Sequence, residues 1–320
     1  MTTKIIGTGS YLPEYVVTND DLAKLVDTSD EWIASRTGIR NRRIATNESG
    51  VDMAAAAAEN ALKDAGMDGS EIDLILVATC SSDFQFPSTA CLVQKAIHAT
   101  NAAAFDLSAA CSGFLFALHT AHAYIRAGIY KNILLVGVEV LSKLIDWNDR
   151  STCVLFGDGA GAAVVTAADH GMEGFVQWSD GVGGEVLTCP GRKMENPWKE
   201  NASEKEYIQM NGQEVFRFAV KKVPECIRQV TEKTGTQIET IDWFILHQAN
   251  SRIIQSVAKR LGVPEEKFPM NMERYGNTSA ASIPILLDEL NKKGMLQPGQ
   301  KIILSGFGAG LTWGAVQMEW

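Results

Sequence analysis

The chain has 320 residues, a formal net charge of −9 and a pI near 5.2, with 46% hydrophobic residues and 28 glycines. That acidity argues against nucleic acid as a principal partner, and the length favours two core-forming units over one. The six cysteines (80, 91, 111, 153, 189 and 226) are widely spaced with no C-x-x-C pair. Such spacing fits free thiols in a reducing cytosol rather than disulfides or a bound metal. The opening MTTKIIGTGSYLPE has no signal-peptide apolar region, and no run of about 20 uncharged apolar residues is present to cross a bilayer. A soluble cytoplasmic protein without membrane contact is expected.

In chain order, residues 4–9 read as a first strand and residues 19–23 as a short helix capped by Thr18 or Asn19. TSDEWIASRTG (28–38) reads as a second capped helix, with Trp32 and Arg36 on one face at i, i+4. The Ala-rich stretch 51–65 is a third helix, closed by Gly66. IDLILVAT (72–79) is an uninterrupted apolar run of the kind found in parallel strands covered on both faces.

The centre of the chain is AAFDLSAACSGFLFALHTAHAYIRAG (103–128), read as a buried strand over 104–108 followed by a helix from Ser112 that is apolar on nearly every face. Cys111 falls at the start of that helix, where free N–H groups and the dipole favour a thiolate. Small neighbours (Ala109, Ala110, Ser112, Gly113) leave room for a reactant to approach the sulfur. The competing reading of Cys111 is a small buried hydrophobe. Residues 132–140 form another apolar strand, and 154–166 carry a Gly-rich turn, FGDGAG, in a β-rich stretch. Alternating strands and helices predict an α/β fold with covered sheets.

The second half repeats the first. Ile241 less Ile72 is 169, and Ile302 less Ile133 is again 169, each at the head of an apolar strand. A duplicated unit with a seam near 167–175 follows, which predicts half-domains 1–170 and 171–320. Chance similarity between apolar strands is the alternative. Adding 169 to Cys111 gives 280, inside YGNTSAASIPILLDEL, so Asn277 is predicted near the start of the equivalent helix, and His247 ends the repeated strand. Strand C-termini and helix N-termini border the ligand crevice of open α/β sheets, so Cys111, His247 and Asn277 are predicted to meet in one pocket. The remaining histidines, His98, His119, His122 and His170, are read as structural.

With these residues placed, the chain resembles β-ketoacyl-acyl-carrier-protein synthase III of the thiolase superfamily. The resemblance runs through GTGSYLPE (7–14), VDTSDEWIASRTGI (26–39), FDLSAACSGF (105–114), STCVLFGDGAGAA (151–163), MNGQEVFRFAV (210–220), HQANSRII (247–254), YGNTSAASIP (275–284) and GFGAGLTWGA (306–315). It implies a thiolase-like α/β fold of two similar half-domains in a layered αβαβα arrangement, and a homodimer. The implied reaction acylates Cys111 from an acyl-CoA primer, then condenses that acyl group with decarboxylated malonyl-acyl-carrier protein. No metal or cofactor is implied, acyl-CoA being a substrate.

The residue chemistry fits. A thiol splits acyl transfer into two easier steps, and an imidazole with a carboxamide can donate to an enolate, Asn277 keeping its N–H at every pH. By the resemblance, the backbone of Cys111 and Gly308 forms the oxyanion hole, and Thr28, Trp32, Arg36 and Arg150 hold coenzyme A. The resemblance also implies that Phe86 reaches into the partner subunit's acyl pocket. It further implies that Gln248, Ala249, Asn250, Arg252, Lys259 and Arg260 dock the acidic carrier protein, with Arg217, Lys221 and Lys222 adding to the basic surface. A thiolase-fold synthase of secondary metabolism, a cysteine hydrolase and a catalytically idle subunit are the alternative readings. Residues 191–205 are the least family-like and receive no role.

Overall fold

A computed structural model describes residues 1–191, 198 and 207–320. The stretch 191–205, left without a role above, lies almost wholly outside the described residues.

Two sheets form the frame. The first runs in the order Thr2–Tyr11, Gly159–Ala168, Asn132–Glu139, Leu74–Ala78, Ala103–Leu107. Its last three strands are parallel and its first two antiparallel to their neighbours. The second runs Trp243–Leu246, Lys301–Gly308, Thr312–Glu319, Met172–Ser179. Strands Leu74–Ala78 and Asn132–Glu139 are almost wholly buried, which is why they read as continuous apolar runs rather than as alternation.

Helices Gly113–Arg126 and Ser282–Lys292 lie between the sheets and touch strands of both. Their apolar residues, Phe114, Leu115 and Leu118 with Ile283, Leu286 and Leu287, share one buried cluster with Leu76 and Ile133 of the first sheet and Ile302 and Val316 of the second. A helix sandwiched by two sheets must be greasy all round, and that is the pattern over 112–125. Gly50–Ala65 covers the outer face of the first sheet, and Gly212–Thr234 with Ser251–Leu261 covers the second. The layers are therefore αβαβα. Gly50–Ala65 approaches closely because Gly9 faces it: a Cβ there would lie 2.3 Å from the carbonyl oxygen of Ala57.

The offset of 169 holds for whole elements. Strands begin at Leu74 and Trp243, and at Asn132 and Lys301; helices begin at Gly113 and Ser282. The short turns before those helices, Ala110–Ser112 and Ser279–Ala281, keep the same spacing. Even the backbone repeats: Ala110 has φ +46° and Ser279 has φ +48°, a left-handed conformation costly for residues with a Cβ.

Two readings need correction. The strand Ala103–Leu107 is not buried within the chain: it is the sheet's free edge, with Ala103 and Phe105 exposed. The stretch 154–166 opens on a turn after the short helix Arg150–Cys153, Val154 being its C-cap, and its strand starts only at Gly159.

Candidate active site

A cavity of about 1320 Å³ is lined by Cys111, His247 and Asn277 together with Phe307 and Gly308. Cys111 occupies the middle of the turn Ala110–Ser112, two residues before the helix proper. The Ser112 hydroxyl anchors the turn to the Ala109 carbonyl at 2.8 Å and to Thr312 Oγ1 at 2.7 Å. Gly308, ending its strand, presses on the nucleophile turn: a Cβ at Gly308 would lie 2.6 Å from the Cys111 nitrogen. Only glycine brings the two backbones this close.

His247 follows strand Trp243–Leu246 and is 2% exposed. Its Nδ1 lies 2.7 Å from the Ser282 hydroxyl, which also receives the Gln248 N–H. With Ser282 giving its hydrogen to Nδ1, Nε2 carries the ring proton as a donor. Phe307 meets the imidazole edge-on, with ring centroids 5.3 Å apart. Burial lowers the His247 pKa to about 3, so the ring is neutral at physiological pH.

Asn277 precedes the turn Ser279–Ala281. Its Oδ1 accepts the Ser279 N–H at 2.9 Å, which fixes the amide orientation and leaves Nδ2 as a donor. Its backbone is clamped on both sides, N–H to the Leu155 carbonyl and C=O to the Gly157 N–H.

Helix position predicts a low Cys111 pKa, but burial acts against it. Burial pushes the thiol up to about 12; a Ser279 hydrogen bond lowers it, the nearby Glu139 raises it and its own backbone N–H lowers it. The resting nucleophile is a thiol.

At the cavity mouth, the Arg36 and Arg150 guanidinium carbons lie 4.6 and 4.8 Å from the Trp32 ring centroid. The Thr28 hydroxyl is buried without a hydrogen-bond partner among the described residues. Arg252, Lys259 and Arg260 are exposed on one helix, and Arg252 lines the cavity. Lys221 is exposed, whereas Arg217 and Lys222 are paired with Glu214 and Glu225. Gln248 does not belong to a docking face. It is 1% exposed, and its amide is spent internally on the Leu246 carbonyl and the Asn271 N–H. Asn250 caps its helix and donates to the Arg36 carbonyl, and Ala249 lines the cavity. Phe86 does not line this cavity and is 85% exposed; Phe84 and Phe105, the latter on the free edge strand, are exposed as well.

Sequence reasoning missed Ser282, Ser279 and Glu139. Ser282 and Ser279 lie inside YGNTSAASIP (275–284), and the 169-residue offset aligns them with Gly113 and Ala110, so both signals were available for them.

The chain matches known proteins along its whole length. Residues 105–181 match the family described as 3-Oxoacyl-[acyl-carrier-protein (ACP)] synthase III, and residues 231–320 match its C-terminal counterpart. A β-ketoacyl-[acyl-carrier-protein] synthase III of Clostridium acetobutylicum is 53% identical over 100% of this chain and 99% of its own. The crystal structure of 3-oxoacyl-[acyl-carrier-protein] synthase III from Aquifex aeolicus superposes with TM-score 0.93 at 48% identity, over 99% of this chain and 100% of that one. The priming β-ketosynthase of the R1128 polyketide pathway follows at TM-score 0.91 and 38% identity, over 99% and 96%. The chain therefore belongs to the β-ketoacyl-acyl-carrier-protein synthase III family, thiolase-fold acyltransferases that carry out the initiating condensation of fatty acid synthesis.

Proposed function

We propose that Cys111 takes an acyl group from an acyl-CoA and that His247 and Asn277 then serve the malonyl partner, delivered on acyl carrier protein. The observation that carries this is the meeting of these three side chains in one cavity. In the first half-reaction the sulfur attacks the thioester carbonyl, the Cys111 proton leaves on the coenzyme A sulfur, and the tetrahedral oxyanion is held by backbone N–H groups of Cys111 and Gly308. In the second, malonyl thioester loses CO2 and the electron pair of the broken C–C bond becomes an enolate. Donors from His247 Nε2 and Asn277 Nδ2 stabilise the enolate oxygen while its carbon attacks the acyl-Cys111 carbonyl. Collapse returns the thiolate and releases a 3-oxoacyl thioester. Every donor in this scheme is a protein group, so it calls for no metal or cofactor.

Coenzyme A enters past Trp32, its adenine replacing one guanidinium on the ring face and stacking between Trp32 and the displaced arginine. The unpartnered Thr28 hydroxyl is a ready hydrogen-bonding group for it. Arg252, Lys259 and Arg260 steer the acidic carrier protein, with Ala249 and Asn250 at the rim. The free edge Ala103–Leu107 and the exposed Phe84, Phe86 and Phe105 favour a homodimer closed across that edge, which would cover apolar surface and bring Phe86 toward the partner's cavity. Half-domains 1–170 and 171–320 follow the duplication. No helix among the described residues is long and apolar enough to cross a membrane; a cytoplasmic site of action is the reading we favour. Intact-protein mass spectrometry after incubation with acyl-CoA tests the scheme. A single acyl adduct mapping to Cys111 is expected, and an adduct on another residue or none would overturn it.

A further inference from the structure

Arg42 lies on the short strand Asn41–Arg43 and is 0% exposed. Its guanidinium reaches three separate segments. Nη1 donates to the Val17 carbonyl at 3.2 Å, and Nη2 donates to Asn19 Oδ1 at 2.8 Å and to the Val154 carbonyl at 3.0 Å. Its Nε has no hydrogen-bond partner, and no carboxylate forms an ion pair with it, among the described residues. Burial lowers its pKa to about 10 and nearby Cys153 acts to raise it, so the group is a cation at neutral pH. Burying a cation with no counter-charge is costly, and an aliphatic side chain of similar length would fill the space without that cost.

One end of this arrangement leads to Asn277. Val154 is the C-cap of the helix Arg150–Cys153 and runs directly into Leu155, Phe156 and Gly157. The Leu155 carbonyl accepts the Asn277 N–H at 2.9 Å, the Gly157 N–H donates to the Asn277 carbonyl at 3.0 Å, and Phe156 pairs with Asn277 as an isolated parallel bridge. The Arg42 stem packs against this crossing. A Cβ at Gly157 would lie 2.2 Å from the Tyr275 carbonyl oxygen and 3.2 Å from the Arg42 Cβ, and a Cβ at Gly276 would also lie 3.2 Å from the Arg42 Cβ. Leu155, Phe156 and Asn277 all line the cavity, whereas Arg42 does not.

The other end leads to Trp32. Asn19 is 1% exposed and spends its Nδ2 on Asp30 Oδ1 at 2.9 Å and on the Ile39 carbonyl at 2.8 Å. Asp30 opens the helix Asp30–Thr37, which carries Trp32 and Arg36. The Arg42 Nη2 therefore joins, through one nitrogen, the root of that helix and the segment that clamps Asn277. A planar fork with fixed N–H directions can serve acceptors on several segments at once, which a lysine ammonium does less well. The condensation scheme uses none of this.

We propose that Arg42 is a positioning residue for the malonyl half-reaction: anchored on Val17 and Asn19, it holds the Val154 carbonyl and so fixes the clamp that sets where Asn277 stands. This rests on the reading of Asn277 as a donor to the enolate.

Two readouts on Arg42→Met in the full chain test it. Methionine keeps an unbranched stem against Gly157 and Gly276 and removes the three donated hydrogen bonds. Hydrogen exchange, read by mass spectrometry, should quicken about tenfold in peptides carrying the Gly157 and Asn277 amides, and not in those from the helix Gly113–Arg126. In steady-state decarboxylation of malonyl-acyl-carrier protein, kcat should fall about tenfold while KM moves less than twofold. The reason is that a donor displaced by a fraction of an ångström loses more in the transition state than in the bound substrate. A merely structural role would not move kcat in the folded protein. Parent values of kcat, unchanged exchange in the clamp, or kcat and KM shifting by the same factor would each overturn the proposal. Should Arg42→Met fail to fold, Arg42→Lys, which keeps the charge and loses the fork, decides by the same readouts, with a smaller change in the same direction. If Asn277→Ala itself keeps the parent rate of decarboxylation, the reading of Asn277 fails instead, and the exchange measurement still decides whether Arg42 holds the clamp.

Discussion

Gly308→Ala adds one methyl group at the point where two backbones touch. The new Cβ would lie 2.6 Å from the Cys111 nitrogen and 3.2 Å from its Cα and Cβ. Restoring an ordinary contact of 3.4 Å to that nitrogen requires the backbones to part by about 0.8 Å, taking 2.6 from 3.4. Strand Lys301–Gly308 is held from moving back by Phe307, which packs edge-on against Phe218 of the helix Gly212–Thr234. The nucleophile turn must move instead. Misplacing a reacting group by about 1 Å costs roughly 10² in rate, or about 2.7 kcal/mol of barrier. Acylation of Cys111, measured by quenched-flow mass spectrometry with acyl-CoA, should fall by about that factor. Decarboxylation should fall far less, because His247 is held by Ser282, and Asn277 by Leu155 and Gly157. Acylation within threefold of the parent, in folded protein, would refute the role given to this contact.

Three further outcomes are expected. Asn277→Ala should lower malonyl decarboxylation by roughly 10²–10³, the worth of one positioned donor, while acylation of Cys111 persists; loss of acylation alone would contradict the assignment. Trp32→Ala should raise KM for acyl-CoA and Arg252→Glu should raise KM for malonyl-acyl-carrier protein, each sparing the other substrate in steady-state kinetics. Buried His119 and His247, with pKa values lowered by burial to about 4 and about 3, refuse protons that the unfolded chain accepts below about pH 6.5. The unfolded state then binds more protons, so stability falls as pH drops from about 6.5 toward 4, by up to about 1.4 kcal/mol per unit per histidine. Urea unfolding at pH 7 and pH 5 checks the sign, and His247→Gln should flatten the slope.

Much of the fold was legible because its centre is written in uninterrupted apolar runs. Strands covered on both faces and helices between two sheets leave no amphipathic ambiguity, so the 169-residue offset survived in Ile72 and Ile241 and in Ile133 and Ile302. That offset led from Cys111 to the neighbourhood of Asn277. What stayed hidden depends on side-chain direction. Gln248 looks polar and accessible in the sequence, yet the turn after Trp243–Leu246 points it inward to satisfy backbone groups. The apolar stretch 104–108 looks like an interior strand, yet it is an edge, because nothing in one chain's sequence says which strand closes a sheet. The Cys111 pKa followed the same pattern: helix position was visible, burial was not. Ser279 and Glu139 are 140 residues apart and meet only because the half-repeats pack face to face.

The central claim is that one cysteine carries the acyl group between two half-reactions in a single cavity. A pulse of acyl-CoA, removal of excess, and a chase with malonyl-acyl-carrier protein, sampled by intact-protein mass spectrometry, follows that group directly. The acyl adduct on Cys111 should vanish at the rate at which 3-oxoacyl-carrier protein and CO2 appear. An adduct that persists while product accumulates, or product formed at undiminished rate by Cys111→Ala, would contradict the account.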